Sequence, residues 1–142
     1  MRIRFLIVFL VLSLAGLIQA RETLIKAEDV KEVTISFMPW KTQTNRRLSA
    51  EDIRSNPNYR FSVRMPWDIK ALLKHLPLQE LKPTTDEPGD TRLVIDFQLA
   101  NGSRMTLHAS QFYLYTEDCT FRWRVTPKFK RFFRFEEMSL LK

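Results

Sequence analysis

The side chains with the widest chemical repertoire in this chain are few: two histidines, His75 and His108, and one thiol, Cys119. They do not make a familiar zinc set without carboxylates, and no His-x-x-x-His spacing occurs, so no metal is expected. His75 falls near the end of a predicted helix, where an imidazole faces solvent or the negative end of the helix dipole. Cys119 and His108 lie on neighbouring stretches and could form a nucleophile and its base. Glu117 and Asp118 directly precede the thiol, however, and their charge opposes its ionisation. Glu117-Asp118 and Glu136-Glu137 are carboxylates adjacent in sequence, not a pair set across a cleft, and they read as solvated. No Gly-x-Ser-x-Gly elbow, phosphate loop or dinucleotide fingerprint is present, and no cofactor is expected.

The residues that stand out are arginines on strand-like stretches. Arg60, Arg64, Arg92, Arg104, Arg122 and Arg124 alternate with apolar residues, and Tyr113, Tyr115, Asp96 and His108 share their parity. No lysine falls among these positions, although the chain has nine. A guanidinium is planar, always charged, pairs with carboxylate or phosphate and stacks on aromatic rings. If these residues share one open sheet face, that face suits an acidic protein patch or an anionic envelope ligand. The plainer alternative is a solvated sheet face whose charges are partly paired internally, for instance Arg104 diagonal to Asp96.

The elements that must position these residues follow from composition and period. The chain has 142 residues, 44% hydrophobic and 27% charged, which is one core's worth and too apolar for disorder. Lys plus Arg outnumber Asp plus Glu by 23 to 16, a formal charge of +7. A single cysteine excludes an intrachain disulfide.

Arg2 and Arg4 precede an unbroken apolar run from Phe5 to Ile18, followed by Gln19 and Ala20. That run falls short of the roughly 20 residues that span a bilayer and has the form of an export signal ending at residue 20. Its loss removes two arginines and lowers the formal charge to +5. Ile18 is larger than a peptidase prefers two positions before the cut, so an uncleaved membrane anchor is the alternative. An exported domain without paired cysteines fits a bacterial periplasm. Nucleic acid suits the charge but not the export, and no recognition motif for it appears.

Beyond a linker over 21–30, residues 31–142 read as one α+β domain. Period-two stretches occur around Val33-Ile35-Phe37, Tyr59-Phe61-Val63, Leu93-Ile95-Phe97-Leu99, Met105-Leu107-Ala109, Phe112-Leu114 and Phe121-Trp123-Val125. A short helix is capped by Ser49 with Glu51 and Asp52 in its first turn. A second runs from Pro66, with Ile69, Leu72, Leu73 and Leu76 on one face, and stops before Pro77. A third is capped by Thr126 with Pro127 at its first position; Phe129, Phe132, Phe133 and Leu140 lie on one face, with Lys130, Arg131 and Arg134 opposite. The predicted order is β-α-β-α-β-β-β-β-α: about six mostly antiparallel, twisted strands with the helices on one face. Residues 77–91 form the long loop and 39–48 a polar connection. Met-Pro-Trp occurs at 38–40 and 65–67, too short a match to establish a duplicated unit.

Side-chain parity sharpens the hairpins. A two-residue turn at Asn101-Gly102 would bury Arg104, whereas a loop of Ala100, Asn101 and left-handed Gly102 pairs Phe97 with Met105 and Ile95 with Leu107. On the other face it pairs Gln98 with Arg104, Asp96 with Thr106 and Val94 with His108. For the last two strands, a turn of Thr116 to Cys119 would pair Leu114 with Phe121 and Phe112 with Trp123, setting Tyr113 beside Arg122 and Gln111 beside Arg124. Near Ser110 and Gln111 the chain must bulge or turn.

The function expected from these features is binding without catalysis: a small exported protein presenting an Arg-rich sheet face to an acidic partner, such as a periplasmic inhibitor or immunity protein. The first alternative is an envelope enzyme using Asp96, His108 and the arginines on an anionic substrate. The second is a membrane-surface protein reading anionic lipid through the basic-aromatic segment Lys128 to Phe135. Docking of that segment onto the sheet as core is the reading preferred here.

Overall fold

The computed structural model describes residues 25–134; the export signal expected over 1–20, Phe135, the Glu136-Glu137 pair and the helix position Leu140 lie outside them. Seven antiparallel strands form one sheet: β1 (Val30–Phe37), β2 (Tyr59–Val63), β3 (Lys82–Pro83), β4 (Leu93–Leu99), β5 (Arg104–Ala109), β6 (Tyr113–Thr116) and β7 (Phe121–Arg124). Across the sheet they run β2-β1-β4-β5-β6-β7-β3. Helices α1 (Ala50–Ser55), α2 (Pro66–His75) and α3 (Pro127–Phe132) complete the α+β domain expected from the sequence. The extra strand, β3, is two residues of the long loop pairing with β7. Ile25 and Ala27 already pack against the core, so the folded unit begins inside the stretch read as a linker.

The helix ends form as their residues dictate. Ser49 and Asp52 make a reciprocal capping box at α1, and the Thr126 hydroxyl accepts the Phe129 N–H at the start of α3. Pro66 and Pro127 open α2 and α3, where a missing N–H costs nothing. One side of the sheet carries the main core. Val33, Ile35, Phe37, Ile95, Phe97 and Leu107 meet Ile69, Leu72 and Leu76 from α2 and its C-terminal end, and Phe129 and Phe133 from α3 and its end. Burial of those two phenylalanines contributes about 1.5–3 kcal/mol each. Phe132 is half-buried and stacks on His75, ring centroids 4.0 Å apart. The C-terminal helix therefore docks onto the sheet.

The central hairpin has the bulged loop that parity requires. Phe97 faces Met105, Asp96 faces Thr106, Val94 faces His108, and Gly102 has a φ of 85°. The following turn is tight: Ser110 N–H donates to the Tyr113 carbonyl, and Phe112 stands exposed at its tip instead of entering the core. The last hairpin differs from the expected pairing by two residues. Leu114 faces Trp123, Tyr113 faces Arg124 and Tyr115 faces Arg122. Asp118 sets this register by accepting the hydroxyls of Thr116 and Thr120 and the Thr120 N–H, which centres the loop on residues 117–120. The two Met-Pro-Trp copies are not equivalent: Trp40 is buried, whereas Trp67 is largely exposed in the first turn of α2.

The helices do not all share one side. Helix α1 lies on the face opposite α2 and α3. Its Arg54 reaches Asp96 and Thr106, whose parity is opposite to Ile95 and Phe97, and its Ile53 is fully buried. A six-residue helix with one buried apolar residue and one reaching arginine covers sheet as readily as a longer amphipathic one, and no period in so short a segment shows which face it takes.

Candidate functional site

The sheet face that carries the arginines is built over. Leu48 N–H donates to Asp90, the Thr91 N–H donates to the Leu48 carbonyl, and the two connections so joined cross that face beside α1. Beneath them Thr106, Ser36, Arg92, His108 and Tyr115 are buried. Arg54 donates to both oxygens of Asp96 at 2.9 and 2.8 Å, and Thr106 donates to the same carboxylate at 2.6 Å. These bonds outweigh the cost of burial and hold the Asp96 carboxyl below its ordinary range.

The ten residues singled out by parity therefore have different fates. Arg92 is buried with Asp90 as its ion-pair partner and its Nε without one. Arg64 pairs with Glu32 at 3.1 Å, and Arg60 donates to Ser36 and to the Arg54 carbonyl. Arg122 pairs with Asp86 at 2.5 Å and lies 4.1 Å over the Tyr113 ring. Tyr113 is half-buried, Tyr115 stacks beneath on His108, and Asp96 is ion-paired with Arg54, with the diagonal Arg104 adding its charge from further off. Among the described residues, Arg60, Arg104 and Arg124 are the members of the set left exposed with no acid in ion-pair contact. Lys82 also joins this face, opposite Arg122. The open guanidinium surface expected from the sequence is thus divided by a helix and two loops, and Arg64, Arg92 and Arg122 are neutralised by acids.

Two of the recesses among the described residues bear on function. The first, about 600 Å³, lies on the built-over face; Arg46, Arg47, Arg54, His108, Glu117 and Cys119 are among its walls. Here the structure brings together the two residues considered as nucleophile and base: the Cys119 sulfur is 3.5 Å from His108 Nε2. Burial lowers the His108 pKa, and the Arg54 charge adds to this against an opposing contact with the Thr116 backbone. Burial, then the Asp118 charge, pushes the Cys119 thiol up. The pair is neutral near pH 7.

The second recess, about 380 Å³, lies at one end of the core side between β1, β2 and α3. Its floor is aromatic. Phe37 meets Trp40 edge-on at 5.4 Å and stacks with Tyr59 at 6.4 Å. Trp40 is fixed by its indole N–H, which donates to the Lys130 carbonyl, and the Lys130 ammonium sits 5.8 Å from the Trp40 ring centroid. Lys41, Lys130 and Arg134 stand around it, and no acid is among its described lining residues. The signal for this groove in the sequence was slight: Lys130 on α3 and Arg134 just beyond its end, four apart in sequence, and a lysine directly after a tryptophan. Nothing local showed that Trp40, 90 positions before Lys130, would lie against α3.

Among the described residues no cluster of His, Cys, Asp and Glu could hold a metal ion, and no helix is long and apolar enough to cross a membrane. Comparison with family models, with curated proteins and with solved structures finds no match to this chain.

Proposed function

We propose that the protein is an exported, non-catalytic binding protein that docks an acidic segment of a partner protein in the groove floored by Phe37, Trp40 and Tyr59. Inhibition of an envelope enzyme or toxin is the form this takes. The observation that carries the reading is the division of charge. Cations that are already paired lend little field to an incoming anion. Arg54, Arg64, Arg92 and Arg122 have acidic partners and Arg60, Arg104 and Arg124 stand apart on separate strands, whereas Lys41, Lys130 and Arg134, gathered around one aromatic floor, have no ion-pair partner among the described residues. Aromatic rings beside cations without an ion-pair partner among the described residues suit an aromatic or aliphatic side chain flanked by carboxylates. A flat lipid surface is the poorer match, because Phe129 and Phe133 of α3 are spent in the core.

The test is titration of the protein with a labelled peptide carrying one tryptophan among glutamates, followed by fluorescence anisotropy at low salt. The double variant Lys41→Glu, Lys130→Glu is expected to weaken binding at least tenfold, about 1.4 kcal/mol. Arg122→Ser with Arg124→Ser is expected to leave it unchanged. The reverse pattern would return the site to the arginine face, and binding indifferent to both pairs and to salt would end the reading.

A further inference from the structure

The described chain ends at the groove beside Trp40. Arg134 lines that groove, is exposed, and donates its N–H to the Arg131 carbonyl at 3.1 Å, which closes the last described turn. Directly beyond it the sequence reads Phe135, Glu136, Glu137 and Met138. An aromatic residue followed by two carboxylates is the chemistry that the rings and the cations Lys41, Lys130 and Arg134 suit. Among the other neighbouring acids of the chain, Asp52 caps α1, Asp118 ties its turn, and Asp86 and Glu87 pair with Arg122 and Arg47. Residues 1–24, also outside the described residues, carry Arg2, Arg4 and Arg21 against Glu22, the wrong sign for this site.

We propose that residues 135–138 are an intramolecular occupant of the groove, which an acidic partner must displace. Phe135 seats against the aromatic floor, and Glu136 and Glu137 lie among Lys41, Lys130 and Arg134. Such regulation rests on the reading of the groove as a dock for acidic segments. The reach is short: an extended chain advances about 3.3–3.6 Å per residue, so Glu136 and Glu137 fall within about 7 and 11 Å of Arg134. A segment joined to the groove without a linker competes at an effective concentration in the millimolar range, well above that of a second copy of the chain in dilute solution. Two carboxylates against three cations leave the rim net positive, so an incoming anion is still drawn. Occupancy in about two-thirds of the molecules leaves one-third competent and weakens an outside peptide about threefold.

The experiment has two arms, both on the full chain. In the first, the labelled peptide carrying one tryptophan among glutamates is titrated into the parent and into the double variant Glu136→Gln, Glu137→Gln, with fluorescence anisotropy as the readout. The double variant is expected to bind about threefold more tightly at low salt, an advantage that added salt removes. Phe135→Ser is expected to show a similar gain. In the second arm a carbodiimide joins carboxylates to amines in direct contact, and mass spectrometry of the digested protein locates each link. A link from Glu136 or Glu137 to Lys41, distant in sequence, is expected in the monomer and is expected to fall when the peptide is added. Equal peptide affinities for parent and variants, or a Lys41 link that is absent or confined to cross-linked dimers, would overturn the proposal and leave the groove to the partner. Failure of parent and variants alike to bind the peptide would overturn the dock itself, and the proposal with it.

Discussion

His108 lies under the loops of the built-over face with Tyr115 stacked on it at 5.6 Å and the Cys119 thiol beside it. Its pKa is lowered from 6.5 by burial, so the unfolded chain takes up a proton on His108 at a higher pH than the folded one does. Stability from this residue is therefore complete above pH 6.5 and falls as pH drops through that value towards the lower folded one. His108→Phe keeps a ring against Tyr115 and removes the unpartnered Nδ1. Urea unfolding is expected to show the variant at least as stable as the parent at pH 7, with the decline below pH 6.5 reduced; an unchanged decline would place its origin elsewhere. At this scale the sequence was informative about parity and silent about cover. It put Asp96, Thr106 and His108 correctly on one face, but Arg54 meets Asp96 across 42 positions, and no local period records such a meeting.

The two long hairpins show where parity decides and where it stops. Around Gly102 the competing turns differ by one residue in register, and one of them buries Arg104, so the pattern alone selects the bulged loop. Around Asp118 the competing registers differ by two residues, which leaves every side chain on its own face and gives the pattern nothing to discriminate. The choice passes to turn chemistry, where the Asp118 carboxylate ties Thr116 to Thr120, and these hydrogen bonds lower its pKa. Asp118→Ala is expected to cost about 1–2 kcal/mol in urea unfolding, through three lost bonds at a largely exposed turn. Glu117→Ala, beside it on the exposed loop, is expected to stay within about 0.5 kcal/mol of the parent. Equal effects would mean that cross-strand packing of Leu114 on Trp123, not the turn, sets the register. Helix α1 escaped the same kind of reading. Its cap was legible in Ser49 and Asp52, but a six-residue segment is too short for a face to be read.

Across the whole molecule, opposite charges are placed according to work. Arg54, Arg64, Arg92 and Arg122 over the sheet are held by acids and contribute to the fold, whereas the cations around Trp40 have no such partners among the described residues. Like charges left together repel, and a binding surface kept for an anion carries that cost in the free protein. Neutralising Lys41, Lys130 and Arg134 together with glutamine is therefore expected to leave the protein as stable or up to about 1 kcal/mol more stable at low salt. That difference should shrink as added salt screens the charges in the parent. Arg54→Gln is expected to behave in the opposite way. It removes the partner of the half-buried Asp96 carboxylate, a loss of about 1.5–3 kcal/mol that salt only weakly relieves. Urea midpoints for both variants at low and high salt separate the two roles, and a salt-independent loss of stability in the glutamine triple variant would show that the groove cations serve the fold and leave the acidic partner without its attracting field.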